Sequence, residues 1–232
     1  MKKIFKLLSK STIKHAIAFT LAEVVLVMGI IGVVGVLAVT NAKKDTDTAE
    51  KVAQLKKTYD ILNTAFAQAV MENGAIKTWG TDGAWPTTAE VGAVISPYLK
   101  LLKNCGTGTG CWKNATISGT ALNVESDNSY YKAILSNGVL IAIYPDSDEY
   151  LYIYVDVNGK KGLNTYGNDV FEFYVYNEGD VVPEQFQSVS SRSDWTVHAG
   201  YDATAWVLKF GNMDYLKSCA SSLSWTGDHT CR

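Results

Sequence analysis

The longest unbroken hydrophobic stretch of this chain lies near its start. Phe19 to Thr40 (FTLAEVVLVMGIIGVVGVLAVT) is 22 residues with a single charge, Glu23. As a helix it would be roughly 33 Å long, about one bilayer core, so the pattern predicts a membrane-spanning helix over 19–41. The pattern then changes. Val52, Leu55, Tyr59, Leu62, Phe66 and Ala69 recur at alternating spacings of three and four, an apolar stripe on one helical face, with Lys56, Lys57, Asp60, Asn63 and Gln68 largely off it. Asn73-Gly74 is a helix stop. The amphipathic half is therefore expected over 42–73. The helix is expected to continue from the first half into the second; the alternative is that Asp47-Thr-Ala-Glu50 is a capping box that restarts a helix after a break near 41–46.

From Gly74 to Thr120 few periodic runs remain, and Gly, Thr and Trp are frequent. The reading there is a connecting loop with one short helix around Ala89–Leu102. Strand patterns follow. Tyr130–Leu135 and Val139–Tyr144 flank Ser136-Asn137-Gly138, a hairpin signal. Tyr150–Val157 and Val170–Tyr176 alternate as further strands, and Ala205–Phe210 reads as a fifth. The fold class expected is α+β: a long N-terminal helical spine, membrane-spanning then amphipathic, on a small antiparallel β-sheet head over 74–232. The tyrosines of these strands, among them Tyr152, Tyr154, Tyr174 and Tyr176, suit either a ligand platform or ordinary strand positions with half-buried rings and wet hydroxyls.

Charge adds a direction. The net charge of −2 hides an asymmetry, because residues 1–18 hold five lysines (Lys2, Lys3, Lys6, Lys10, Lys14) and no acid. The remaining 16 basic residues face 23 acidic ones, a balance of −7 that argues against a general nucleic-acid surface. A basic head before an apolar run is a targeting pattern. Such lysines stay in the cytoplasm, so the chain beyond Thr40 is expected outside it. A secretory signal peptide would have a shorter apolar core and small residues at its far end. An uncleaved signal anchor on an extracytoplasmic binding protein is the alternative reading, but it leaves Glu23 unexplained. A carboxylate inside an apolar span is costly and ordinarily has a partner and a task.

The segment KHAIA-FTLAEVVLVMGIIGVVGVLA resembles the N-terminal signal of type IV pilins and type II secretion pseudopilins. The resemblance covers about 25 residues. It implies a leader, residues 1–18, cut by a prepilin peptidase between Ala18 and Phe19, then N-methylation of Phe19. It places the family's glutamate, the fifth residue of the mature chain, at Glu23, with a role in assembly. Two departures stand out: Ala18 replaces the commoner glycine before the cut, and Thr40 stands where a proline is usual. The function implied is a structural subunit of a type IV pilus-like filament, either a type II secretion pseudopilin or a minor type IV pilin. The partners implied are other copies or related subunits through the N-terminal helix, the prepilin peptidase and an inner-membrane assembly platform. Nucleic acid would enter only through a DNA-uptake pilus. The location implied is the inner membrane, single-pass, and then an extracytoplasmic filament.

Four cysteines, Cys105, Cys111, Cys219 and Cys231, fall in the part expected outside the cytoplasm, where an even number implies disulfides. Three connectivities exist, and the local pairs Cys105–Cys111 and Cys219–Cys231 are the simplest. Zinc is disfavoured by the spacing and the scarcity of histidine. A C-terminal disulfide-closed loop also resembles the D-region of type IV pilins. The Asp156–Asp169 stretch (DVNGKKGLNTYGND) offers oxygen ligands on a glycine-rich loop, with Asp156, Asn158 and Asp169 as candidate calcium ligands. It resembles loops that follow a strand in pseudopilins, some of which bind calcium. Lys160 and Lys161 oppose a cation there, and a pair of tight turns rich in Asn-Gly explains the composition better. No nucleophile elbow, zinc-protease helix, phosphate loop or dinucleotide fingerprint is present, and the expectation is a chain without enzymatic activity.

Overall fold

The computed structural model describes residues 21–117, 120–147, 149–162, 164–183 and 202–231. The first helix, α1 (Leu21–Asn73), is 53 residues long. It continues through 41–46, as the continuous reading expects, and the alternative of a break with a new start at Asp47 is not realised. By compactness the chain divides between Asp45 and Thr46. The amphipathic stripe therefore belongs to the larger unit, 46–232.

Within that unit the stripe behaves as its spacing dictates. Leu55, Leu62, Phe66 and Ala69 are fully buried, with Val52 and Tyr59 partly so. They face a six-stranded antiparallel sheet in the order β1 (Leu101–Gly106), β4 (Tyr131–Leu135), β5 (Leu140–Ser147), β6 (Tyr150–Asp156), β8 (Val170–Tyr176), β9 (Val181–Pro183). Alternation assigns the two faces. Ile141 and Ile143 of β5, Leu151 and Ile153 of β6, and Phe171 and Phe173 of β8 point towards α1 and share its core. The ring of Phe173 stacks on Tyr59 at 5.7 Å. Gly179, in the β8–β9 turn, has φ 88°, and a Cβ there would lie 2.9 Å from Val70, so this turn presses directly on α1.

The opposite face carries a second cluster. Leu140, Ala142 and Val170 pack under Trp112, Ala115, Val124 and Tyr166. Ala115 belongs to, and Tyr166 directly follows, a small mixed sheet formed by β2 (Ala115–Ile117), β3 (Thr120–Leu122) and β7 (Asn164–Thr165). Lys132, buried under this layer, donates to the carbonyls of Val124, Glu125 and Asp127 at 3.1, 3.1 and 2.7 Å. Its ammonium ties the loop before β4 to the sheet.

Two local expectations change. The helix near 89–102 is α2 (Thr88–Ile95), opened by a Thr87–Glu90 capping box, and Pro97 ends it in a single tight turn before β1. The expected fifth strand at 205–210 is instead helix α3 (Ala203–Phe210), closed by Gly211 in the left-handed region at φ 71°. A run of eight with this composition fits either period, and tertiary packing decides. Trp206 is fully buried against Trp225, and Thr204 Oγ1 accepts the Glu172 amide beyond the short reach of β9.

One larger expectation is overturned. Among the described residues no helix is long and apolar enough to cross a membrane. The membrane-spanning half of the spine, the transmembrane assignment and the single-pass placement in the inner membrane are therefore withdrawn. The apolar run was counted from Phe19, and Phe19 and Thr20 lie outside the described residues. What stands is a mixed helix-and-sheet fold built on a six-stranded antiparallel sheet.

Candidate functional site

Ala18 and Phe19, the residues of the expected cleavage, lie outside the described residues. Glu23 falls in the first turn of α1. The next turn presents Val25, Leu26, Met28 and Ile30 to solvent, 56–69% exposed in the isolated chain. Four large apolar side chains left in water within six residues form a surface of the kind that marks an interaction site.

Both local cysteine pairings are formed. Cys105–Cys111 and Cys219–Cys231 each bring their Cα atoms to 5.9 Å. The second loop is pinned by the segment just before it, because Asp214 accepts the Cys231 amide at 2.7 Å and pairs with Lys217 at 2.7 Å. Tyr215 donates its hydroxyl to the Gly167 carbonyl at 2.6 Å, which ties the tail to the turn before β8. Burial pushes the Tyr215 phenol well above its ordinary range.

Asp156, Asn158 and Asp169 do meet, at the end of the sheet where β6 and β8 are joined. Asn158 Nδ2 donates to Asp169 Oδ1 at 2.8 Å, and Asn164 Nδ2 to Asp156 Oδ2 at 2.6 Å. The residue that the sequence did not single out is Lys51. Its ammonium, carried on α1, sits 2.6 Å from Asp169 and 2.9 Å from the Asn168 side-chain oxygen. No local pattern links positions 117 residues apart. The side-chain oxygens of Asn158 and Asn164 are buried without a donor, which suits a cation. Against that, Asp169 already faces an ammonium, and among the described residues no three His, Cys, Asp or Glu side chains are placed to hold a metal ion. With Lys51 in place, millimolar calcium or a chelator should leave the melting temperature unchanged. A calcium-dependent rise would show the ion displacing Lys51.

Burial, and to a lesser extent the charge of Asp169, raises the Asp156 carboxyl to about 7, against the donors from Asn164 and Asn158. The folded chain then keeps a proton that the unfolded chain releases near pH 4. Stability should fall as pH rises from about 4 to about 7 and be level above that, by roughly 2–4 kcal/mol in all. Melting curves of the wild type across this range, beside Asp156→Asn, check it. The variant should lose the slope.

Comparison with protein-family models, with curated proteins and with solved structures gives no match.

Proposed function

We propose that the chain is a structural subunit of a type IV pilus-like filament, a pilin or pseudopilin, rather than an enzyme. The observation that carries the reading is the exposed apolar turn Val25–Ile30 directly after Glu23, on a helix that further along supplies the core of a disulfide-braced sheet domain. An apolar helical surface exposed in the isolated chain is satisfied by packing against the same surface of other copies, and head-to-tail repetition of one contact yields an open filament. The N-terminal segment KHAIA-FTLAEVV supports the same reading through its resemblance to prepilin signals. The two disulfides suit an oxidising setting.

The reading requires processing. In cells that carry a prepilin peptidase, N-terminal sequencing of the protein should begin at a methylated Phe19. An intact terminus at Met1 in cells that process other prepilins would count against the reading.

A further inference from the structure

We propose that Lys51 and Asn168 react with each other in the folded chain, forming an amide cross-link between α1 and the turn before β8 with loss of one ammonia. Three groups meet there. The Lys51 ammonium lies 2.9 Å from the Asn168 side-chain oxygen and 2.6 Å from Asp169 Oδ1. The Asn168 amide nitrogen donates to the other oxygen of that carboxylate, Oδ2, at 3.2 Å. One carboxylate therefore touches both the nitrogen that attacks and the nitrogen that leaves. The Asn168 amide carbon is one bond beyond its oxygen, which puts it within about 4 Å of the Lys51 nitrogen, close to a reactive approach. An ordinary ion pair accounts for Lys51 and Asp169 alone. The amide held against both of them is what points to a reaction.

The step balances without another reactant. Asp169 takes one proton from the Lys51 ammonium, which frees the lone pair on nitrogen. That pair attacks the Asn168 carbonyl carbon and forms the new C–N bond. Asp169 passes its proton to Nδ2, and the Cγ–Nδ2 bond breaks as ammonia departs. The attacking nitrogen then gives up a second proton, which leaves with the ammonia as ammonium. Nothing is oxidised or reduced. The fold holds the parts in place for this. The Asp169 side chain is 3% exposed, and Asn158 Nδ2 and the Thr165 amide donate to its oxygens at 2.8 and 3.3 Å. The backbone amides of Asn168 and Asp169 both donate to the Thr165 carbonyl, at 3.0 and 2.9 Å, so the turn that carries the side-chain amide is fixed as well. Groups held this way react as if at concentrations on the order of 10⁵ M or higher, and the bond has to form only once in the life of each chain. A cavity of about 320 Å³ beside Lys51, lined also by Glu50, Gln54 and Asn158, gives ammonium a way out. The link joins positions 117 residues apart and restricts the unfolded chain as a disulfide does.

The cross-link is independent of the filament reading, and its test does not involve filaments. Full-length chain purified from cells that express it is digested with trypsin and mapped by tandem mass spectrometry. The expected result is a branched peptide in which residues 45–56 are joined to residues 162–192, at the sum of the two masses less one ammonia and with no cleavage after Lys51. Lys51→Arg keeps the charge beside Asp169 but cannot form the link, so cleavage at position 51 should return and the 162–192 peptide should be recovered unaltered. Asp169→Asn leaves both reacting groups and removes the proton carrier, and the linked fraction should fall at least about tenfold. If circular dichroism shows that variant unfolded, Asn168→Gln takes its place, with the same loss expected because the carbonyl is moved by one bond. Cleavage after Lys51 throughout the wild type, a link to Asp169 with loss of water, loss of ammonia confined to the 162–192 peptide, or a variant linked as fully as the wild type would each overturn the proposal.

Discussion

Replacing Glu23 with alanine should leave the chain at its normal level with both disulfides formed, yet remove it from filaments. Glu23 is the only charge between Phe19 and Thr40. In the isolated chain the nearby Val25, Leu26 and Met28 are exposed. When copies bury these side chains together, water leaves and an unpaired carboxylate becomes costly by several kcal/mol. Cleavage before Phe19 would create a positive amine four residues away in sequence. Contributed by a neighbouring copy, that amine neutralises the carboxylate, and their attraction strengthens as water is excluded. The apolar contacts are non-directional, so this one charge pair sets how far one helix slides along the next. Removing the carboxylate strands the amine and loses the register. An effect of at least about tenfold on incorporation is expected, since a broken buried pair costs about 3–5 kcal/mol. The ratio of chain in the sheared-filament fraction to chain in whole cells measures it, with Glu23→Gln as a variant that keeps the shape. Equal incorporation of the variants would remove the assembly role.

Phe66→Ala should damage the other end of the same helix in a different way, through folding. Phe66 is fully buried, and its ring lies nearly parallel to that of Trp79 at 6.4 Å. Truncating a buried phenylalanine costs about 3–5 kcal/mol, the transfer free energy of the ring plus the cavity left behind. For a unit of this size the melting temperature should drop by roughly 6–20 °C. Met71→Ala on the same helix, where the side chain is 78% exposed, should change it little. A loss at Phe66 no larger than at Met71 would mean that α1 does not depend on the sheet.

What the pattern made legible is what local periodicity controls. The three-and-four spacing from Val52 to Ala69 marked the buried face of α1, and two-residue alternation marked β4, β5, β6 and β8, because each of those elements buries one face against one core. The signal failed where that logic is absent. β2, β3 and β7 are two or three residues long, too short for any period to show. Helix α3 carries a short apolar run that suits a strand equally well until Thr204 and Trp206 are packed. The Lys51–Asp169 pair joins distant segments by charge, which leaves no trace in either neighbourhood. The apolar run at 19–40 was over-read, because length and low charge were converted directly into a membrane crossing that the described helix does not support. At the candidate site, Glu23 stood out as an isolated charge. The exposure of Val25, Leu26, Met28 and Ile30 became visible only in the structure.

The most direct test of the filament assignment is mass spectrometry of surface filaments sheared from cells that express the wild-type chain. The prediction is that peptides of this chain are recovered in the filament fraction, with Phe19 as the first residue and the Cys105–Cys111 and Cys219–Cys231 links intact. Abundant chain in the cells, with none in filaments that other subunits are shown to form, would contradict it.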